Sequence, residues 1–449
     1  MDNSDRSKGV MLMRTIEFKR DVPVVASYDV VVCGGGPAGF IAAISAARQG
    51  ARTALIEQYG FFGGMATAGL VAPISVFNYN GELVIGGIPW EFVKRLEAMG
   101  GALIEQPLNN IAFDPELYKL CAQRMMLEAG VDTYTHSYLS GCIKEHGAIR
   151  YAVFENKNGT EAVEGKVFID ATGDADLAYM AGAEMQPTDD APLQPASFYF
   201  CLEGVDTDSE LLKCMHHNQQ GVNCQSEPVR AKLFELQKTM KIPNFGGPWF
   251  CTLLRDGCVT VNITRGATNA CDNRDFARAE CTLREDIFKL TEILKENFEE
   301  FKNCRVSCVA TQAGARETRR IVGLHTITAD EYLNAVQYPD NVSRGAHPID
   351  IHSNHIYEQH VHFLKKAAYV PYRALVSKDV PNLLAAGRCI SADRQAFASL
   401  RVQASAMGIG QAAGVAAGMV ALNDEASKKV ADVDIEALQT NLRALGTVI

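Results

Sequence analysis

Segment 29–57 constrains the fold of this chain more than any other feature. It starts with a short apolar strand at 30–33 and runs through the turn Gly-Gly-Gly-Pro-Ala-Gly into a small-residue helix, Pro37–Arg48. A second apolar strand at 52–56 follows and ends next to an acid, Glu57. A strand, a glycine-rich turn, a helix and a second strand in this order are typical of the βαβ unit that cradles nucleotide phosphates.

Three glycines in the turn, Gly34, Gly36 and Gly39, satisfy the G-x-G-x-x-G pattern, and each has a separate physical role. Gly34 makes the tight turn, Gly36 lets the backbone approach a pyrophosphate, and Gly39 lets the helix pack closely on the strand. The first helical turn, from Pro37 and Ala38 onward, offers unpaired N–H groups and a positive dipole end to the phosphates.

The acid after the second strand narrows the choice of nucleotide. Glu57 lies about 20 residues beyond Gly39, where a carboxylate accepts hydrogen bonds from an adenosine ribose. A carboxylate there disfavours a 2′-phosphate. The unit by itself therefore predicts FAD or NAD rather than NADP.

Bulk composition excludes several classes of protein. The chain has 449 residues, 47% apolar and 21% charged, which predicts a large buried core and two or three domains. A net charge of -10 without a concentrated basic face argues against a nucleic-acid partner. Residues 1–27 are charged and have no sustained apolar run, unlike a secretory signal. The 13 cysteines follow no disulfide framework, so we expect reduced thiols and a cytoplasmic location.

Segment 403–422 is the one stretch that resembles a membrane span. Its glycines Gly410, Gly414 and Gly418 are spaced by four, as in packed membrane helices. However, polar residues interrupt it, large apolar side chains are few and no basic flank anchors it. We therefore expect no membrane contact, and a buried helix whose glycine face lies close to a sheet or to the cofactor.

The rest of the chain has a mixed α/β pattern without repeats. Helices are predicted at 114–129 and 275–301, strands at 131–137, 162–170 and 382–387, a hairpin at 143–156, and β-rich stretches at 186–201 and 250–264. The predicted organisation is a discontinuous nucleotide-binding domain, 28–183 and 375–425, interrupted by a substrate domain, 184–374. A 1–27 extension and a C-terminal helix, 426–449, complete it.

Further motifs follow the fingerprint along the chain. They are FFGGMAT at 61–67, FIDATGDAD at 168–176, GARETRRIVG at 314–323, DIH at 350–352, VPYR at 370–373 and NLLAAGRCIS at 382–391. In this order they resemble the FAD-dependent oxidoreductases among the glutathione-reductase-like flavoproteins, over nearly the whole chain. The resemblance implies an α/β fold, in which an FAD-binding Rossmann-like domain is interrupted by an α+β substrate domain.

The resemblance also implies how FAD is held. FAD would lie extended, with its adenosine at Glu57, its pyrophosphate at 34–39 and its ring near 63–67. The cofactor-binding residues expected on this basis are Gly34, Gly36, Pro37, Ala38, Gly39, Glu57, Gln58, Gly63, Gly64, Met65, Thr67, Thr172, Gly173, Gly387, Arg388, Arg401 and Ala404. A helix starting near Val402 would direct its N–H groups at the ring and favour negative charge on the reduced flavin.

Arginines and histidines late in the chain are the candidates for chemistry. Helical spacing would place Arg316 and Arg320 on one face, suited to holding a carboxylate or a phosphate, although an ion-paired helix face is the ordinary alternative. Tyr372 and Arg373, in an extended segment after a proline, would line the same pocket, with core packing as the alternative for Tyr372.

Five histidines lie between 347 and 362: His347, His352, His355, His360 and His362. Their spacing matches no zinc motif, so no metal site is predicted. His352, in the family's Asp-Ile-His motif, is the expected general base, since a histidine pKa can be set near neutrality.

These features predict an enzyme that transfers a hydride between flavin N5 and a small polar or anionic substrate. A flavin monooxygenase or halogenase is the first alternative, although such enzymes usually have Gly-Asp where this chain has Gly387-Arg388. A non-catalytic or electron-transfer flavoprotein subunit is the alternative from another class. The expected partners are a small-molecule substrate, an electron donor or acceptor that the sequence leaves open, and a second copy of the chain as an optional homo-oligomer.

Overall fold

The structure, a computed structural model, describes residues 16–106, 109–187, 192–213, 227–353, 359–423 and 429–449. The helices are α1 Pro37–Arg48, α2 Ile88–Ala98, α3 Pro115–Glu128, α4 Asp176–Met180, α5 Glu210–Lys213, α6 Glu227–Gln237, α7 Asn273–Asn297, α8 Ala329–Leu333, α9 Arg394–Leu400, α10 Gln403–Ala421 and α11 Ile435–Ala444. The strands of the first half are β1 Val24–Cys33, β2 Thr53–Ile56, β3 Asn78–Tyr79, β4 Glu82–Leu83, β5 Ala102–Glu105, β6 Asn110–Phe113, β7 Asp132–Tyr134, β8 Tyr138–Glu145, β9 Ala148–Asn156 and β10 Gly159–Asp170. Those of the second half are β11 Phe200–Glu203, β12 Phe245–Thr252, β13 Val259–Thr264, β14 Arg305–Val309, β15 Asn341–Gly345, β16 Ile349–His352, β17 Gln359–His362, β18 Ala368–Pro371 and β19 Leu383–Ala385.

The main sheet is parallel at its centre, in the order β7-β2-β1-β10, with β19 pairing the other side of β10 near its end. The end of β10 is in register with both neighbours, since Asp170 lies opposite Cys33 of β1 and Ala385 of β19. Cys33 in turn lies opposite Ile56 of β2. The carboxyl ends of four strands therefore meet at one edge, where ligands bind in open α/β sheets.

The mixed α/β class and the individual predicted elements agree with this structure, with differences at the boundaries. Strand β10 begins at Gly159 rather than at 162 because its first half pairs antiparallel with β9 and continues the hairpin β8–β9. In the β-rich stretch 186–201, regular strand starts only at Phe200, and the described residues before it make isolated bridges. Residues 188–191 of that stretch lie outside the described part.

Helix α10 packs on helix α1 through its glycines. A Cβ at Gly410 would lie 2.2 Å from the Ala38 carbonyl oxygen, and one at Gly414 would lie 2.1 Å from that of Ala42. The expectation of a glycine face against a sheet or a cofactor was therefore wrong, since the face approaches a helix backbone. Within the described residues α10 is the one helix long and apolar enough to span a membrane, but 94% of its apolar window is buried inside the protein, as in a core helix.

Two hydrophobic clusters lie on either side of the cavity described below. The first fills the main sheet, α1 and α10; the second fills the antiparallel sheet β12-β13-β11-β14, covered by α7. Side chains between Ile321 and Val370 pack in the first cluster. The predicted division into domains at 183 and 375 stays a prediction, but the packing joins 321–370 to the nucleotide-binding part.

Candidate active site

The three glycines of the fingerprint differ in whether the surrounding protein structure requires glycine at that position. Gly34 has a φ of +96°, and a Cβ at Gly39 would lie 1.8 Å from the Gly34 carbonyl oxygen, so the turn and the helix–strand contact both require glycine. Gly36 has an ordinary φ of −67°, and its missing Cβ would meet nothing nearer than the Gly64 Cα at 3.9 Å. The space over Gly36 is therefore left open by the protein, which fits a pyrophosphate passing close to the backbone.

Two helices begin at the same cavity without a side-chain cap. The N-caps of α1 and α10 are Gly36 and Val402, and neither side chain caps the first N–H groups. Pro37, Ala38 and Gln403, from the two first turns, line the cavity. Two uncapped, positive helix ends fit a ligand with one anionic group at α1 and a second electron-rich group at α10.

Glu57, the acid predicted to bind the ribose, is buried at the cavity wall. Its carboxylate accepts backbone hydrogen bonds from Gly35 at 2.6 Å and Tyr59 at 2.9 Å. Burial raises the pKa of Glu57, and these backbone donors offset part of that effect. Two accepted bonds leave capacity at a carboxylate for ribose hydroxyls.

The motif FIDATGDAD forms a bonded turn at the end of β10. Asp170, fully buried, accepts bonds from the Thr172 amide at 3.0 Å, the Thr172 hydroxyl at 2.7 Å and the Ala178 amide at 2.9 Å. After β19, Arg388 donates to Asp174 at 2.6 Å and to the Ala315 carbonyl at 3.0 Å. The turns at Thr172 and Arg388 are thus tied across neighbouring strand ends.

A single cavity of about 1460 Å³ joins these features. That volume exceeds the roughly 300–1,000 Å³ of a typical ligand pocket, which leaves room for FAD together with a substrate. Most of the predicted cofactor residues line it, namely Gly34, Gly36, Pro37, Ala38, Glu57, Gln58, Gly64, Met65, Thr172, Gly173, Gly387, Arg388 and Arg401.

Four predicted cofactor residues do not line the cavity. Gly39 and Ala404 are buried inside helix packing, and Thr67 donates to the Phe62 carbonyl at 2.9 Å. Gly63 has a φ of +112° and donates its amide to the Gly35 carbonyl at 2.8 Å. These four shape the wall rather than face the ligand.

Asp350 and His352 also line the cavity. They share a face of strand β16 because side chains alternate along a strand. Their Oδ2 and Nε2 atoms are 3.0 Å apart, and the His352 amide donates to the Gln194 side chain at 3.1 Å. Burial and the Arg316 charge lower the pKa of His352 to about 3, against the opposing effect of Asp350. The expectation of a pKa near neutrality was therefore wrong, because sequence does not report burial or the arginines.

The predicted substrate-binding arginines separate in space. Arg316 lines the cavity and donates to the Pro195 carbonyl at 2.5 Å. Arg320 does not line it; its guanidinium donates to the Ala392 carbonyl at 3.1 Å and covers the Phe397 ring. Residues 315–320 form no helix, so the helical face expected to hold both arginines does not exist.

Tyr372 and Arg373 also lie away from the cavity lining. The Tyr372 side chain is buried in the core, and its hydroxyl donates to the Val430 carbonyl at 2.7 Å. Arg373 pairs with Asp340, with Nε and Oδ2 at 3.1 Å. Core packing and an ion pair thus occupy these two side chains, and we do not propose them for catalysis.

The histidines do not gather as one group. His347 and His352 line the cavity, whereas His360 and His362 lie on strand β17, and His355 falls outside the described residues. Within the described part of the chain, no group of three or more histidine, cysteine or acidic side chains is arranged to hold a metal ion.

Several cavity residues were missed by the sequence analysis. Asp350 could have been found, because it stands two positions before His352 in a strand. Tyr199, Trp249 and Asn262 reach the cavity from the second sheet, where Trp249 and Asn262 are paired across β12 and β13. No local motif marks these three, since their position depends on how the second sheet packs.

Fold and site together fit a dinucleotide-binding protein, because a parallel sheet edge, an open glycine turn and a buried acid lie along one large cavity. The family model of FAD dependent oxidoreductases matches residues 29–442. The chain belongs to that family and is an FAD-binding enzyme.

Other comparisons agree over parts of the chain. A 47-residue stretch is 53% identical to dihydrolipoyl dehydrogenase of Trypanosoma brucei brucei, over 10% of either chain. A 161-residue stretch is 30% identical to digeranylgeranylglycerophospholipid reductase of Thermoplasma volcanium, over 33% of this chain and 39% of that protein. The chain thus spans well under half of these two relatives. The structure of a flavin-dependent brominase is similar with a TM-score of 0.45 and 15% identity, over 93% of this chain and 83% of the brominase.

Proposed function

We propose that this enzyme oxidises or reduces a small organic substrate by direct hydride exchange with FAD, within a glutathione-reductase-like arrangement of the cofactor. The observation that carries the proposal is the continuity of the cavity, which runs from the Gly36 cradle to the Asp350–His352 pair. FAD, when bound, would exchange a hydride with a carbon of the substrate at its N5 position.

The chain's own residues would bind, orient and exclude water. Gly36 and the first turn of α1 would hold the pyrophosphate, Glu57 the adenosine ribose, and the first turn of α10 the flavin ring. Substrate would lie between the ring and His352, in the part of the cavity that Tyr199 and Trp249 also line.

Proton movement would run through His352. Its Nε2–H donates to Asp350, which leaves Nδ1 as the nitrogen able to accept a proton. With a pKa of about 3, this imidazole is a weak base in the empty cavity. An anion bound beside Arg316 would cancel part of the positive field and raise the basicity of His352 when substrate is in place.

The test is anaerobic reduction of the purified flavoprotein, followed by loss of the oxidised-flavin absorption. The panel is hydroxy acids, amino acids, sugars, NADH and NADPH. Bleaching by an organic substrate, slowed at least ten-fold in His352→Ala at unchanged FAD content, is the expected result. If no hydroxy acid, amino acid or sugar in the panel bleached the flavin, the proposal would be contradicted.

A flavin monooxygenase or halogenase is the second candidate, since a flavin-dependent brominase is among the similar structures. It predicts a different outcome of the same experiment: bleaching by NADH or NADPH alone, then reoxidation by oxygen with hydroxylation or halogenation of an added organic compound.

A further inference from the structure

Three arginines from distant parts of the chain meet at the His352 end of the cavity. Arg316 donates to the carbonyl of Pro195, and Arg265 donates to the Ser197 hydroxyl at 2.7 Å, two residues further along. Arg265 also donates to Asn262 at 2.7 Å, and Asn262 lines the cavity. Arg265 and Arg316 are therefore neighbours, although only Arg316 lines the cavity.

The third arginine joins them through Asp350. Arg401 donates to the Asp350 carbonyl at 3.0 Å, and its Nη2 lies 3.9 Å from the Asp350 carboxylate. Like Arg316, it lines the cavity. We call Arg265, Arg316, Arg401 and Asp350 the arginine cluster.

Across the residues that the structure describes, the positive charge of the arginine cluster exceeds the negative charge that pairs with it. Three guanidiniums face one carboxylate, and that carboxylate already accepts the His352 Nε2–H. Among the described residues, neither Arg265 nor Arg316 forms an ion pair with an acid; their bonds go to carbonyls, a hydroxyl and an amide oxygen. Burial and mutual repulsion lower the pKa of Arg316 to about 9.

Two buried donor atoms, one in the cluster and one beside it, have no acceptor among the described residues. Within the part of the chain that the structure describes, neither Nη2 of Arg265 nor Nε2 of Gln194 makes a hydrogen bond. Gln194 is only 2% exposed, and its Oε1 accepts from the His352 amide. Neither side chain is among those that line the cavity, so the arginines of this region that a ligand in the cavity can contact directly are Arg316 and Arg401.

We infer that the arginine cluster is the substrate-binding site for an organic carboxylate, with Arg316 and Arg401 as its direct ligands. The inference rests on the proposed function, because it names the class of substrate. Planar guanidiniums match the two oxygens of a carboxylate. Three positive charges against one negative leave an excess of two, which a dicarboxylate would match. The pyrophosphate of FAD would instead lie over Gly36 at the start of α1.

Binding to the oxidised holoenzyme tests this inference without any turnover. The probes are acetate, malonate, succinate and glutarate, each compared with its uncharged amide, and inorganic phosphate, all by isothermal titration calorimetry. We expect a dicarboxylate to bind at least ten-fold more tightly than its diamide and than phosphate. Equal affinity for acid and amide, or tighter binding of phosphate, would overturn the inference.

Variants separate substrate binding from cofactor binding. Arg316→Gln should weaken dicarboxylate binding at least ten-fold with unchanged FAD content. The affinity of Arg316→Lys should lie between those of the wild type and Arg316→Gln, because lysine keeps the positive charge but lacks the planar guanidinium. Arg344→Gln is the matched control: Arg344 also donates to a carbonyl, that of Ala367, but does not line the cavity. A parallel loss of FAD in Arg316→Gln and Arg316→Lys would assign the cluster to the cofactor and overturn the inference.

The two proposals fail in distinguishable ways. If dicarboxylates bind through Arg316 but no organic compound reduces the flavin, the hydride-transfer function fails and the carboxylate site stands. If an uncharged compound reduces the flavin and the Arg316 variants react normally, the function stands and the carboxylate site fails.

Discussion

His352 donates its Nε2–H to Asp350 across 3.0 Å while Arg316 opposes its protonation, so the imidazole is held neutral in the folded protein. The pKa falls from 6.5 in the unfolded chain to about 3 in the folded one. Between these values the unfolded state binds a proton that the folded state does not. Acidification through that window therefore removes stability.

In the absence of FAD, we predict that acidification lowers the free energy of unfolding less in His352→Asn than in the wild type. Between pH 6.5 and pH 5 the difference should reach about 2 kcal/mol in the free energy of unfolding. Urea unfolding at pH 7 and pH 5 measures it. Asp350 does not interfere, because its own pKa is lowered and it titrates below this range. Identical pH dependence in both proteins would contradict the assignment of a neutral His352.

Substitutions of Gly36 and Gly39 form a matched pair that tests the cofactor-binding turn. Gly36→Val should abolish FAD retention while leaving the apoprotein folded, because the side chain enters open space that the pyrophosphate needs. Gly39→Val should destabilise the protein itself by about 3 kcal/mol or more, because its Cβ meets the Gly34 carbonyl. FAD content and thermal unfolding of the apoproteins separate the two effects. If the Gly36→Val protein retained a full complement of FAD, the pyrophosphate would not pass over this residue.

Gly414 and Gly418 form a second pair, on the contact between α10 and α1. A Cβ at Gly414 would lie 2.1 Å from the Ala42 carbonyl oxygen, whereas one at Gly418 would meet the side chain of Gln49 at 2.9 Å. Alanine gains about 1 kcal/mol over glycine in a helix, but overpacking costs about 1–3 kcal/mol. We expect Gly414→Ala to destabilise more than Gly418→Ala, because the Gly414 contact is with a backbone oxygen at 2.1 Å whereas the Gly418 contact is with the Gln49 Cβ at 2.9 Å. Chemical unfolding compares the two losses, and equal losses would refute the closer backbone approach at Gly414.

Cys308 should be the most reactive thiol of the second sheet. It lies opposite Cys201 in the pairing of β14 with β11, and the buried Cys201 thiol stabilises its thiolate and lowers the pKa of Cys308 to about 7. Burial instead raises the pKa of Cys271.

At pH 7, iodoacetamide should therefore label Cys308 roughly ten-fold faster than Cys271, since the thiolate is the nucleophile. Labelling should slow as the pH falls from 8 to 6. Cys201→Ala should slow the labelling of Cys308 and leave Cys271 unchanged, as followed by peptide mass spectrometry. An unchanged Cys308 rate in that variant would exclude the thiol–thiol contact as the cause.

The local sequence by itself predicted the residues that form the cofactor-binding turn. The turn, the close approach and the helix start are built by consecutive residues from Gly34 to Ala38, so their backbone roles can be read from residue types at fixed spacing. The order of later motifs then predicted that Thr172 and Arg388 reach the same edge. Parallel strands made that inference sound, because their carboxyl ends meet.

Tertiary structure determined which residues form the proposed substrate-binding part of the cavity. Arg265, Arg316, Asp350 and Arg401 come from four separate segments, and no spacing in the sequence shows that they meet. The same limit explains why Arg320, Tyr372 and Arg373 lie away from the cavity although their motifs looked suitable. The pKa of His352 depends on burial and on charges brought close by folding. Local sequence therefore predicted a dinucleotide cofactor, the order of motifs along the chain indicated FAD, and long-range packing set the charge of the cavity beside it.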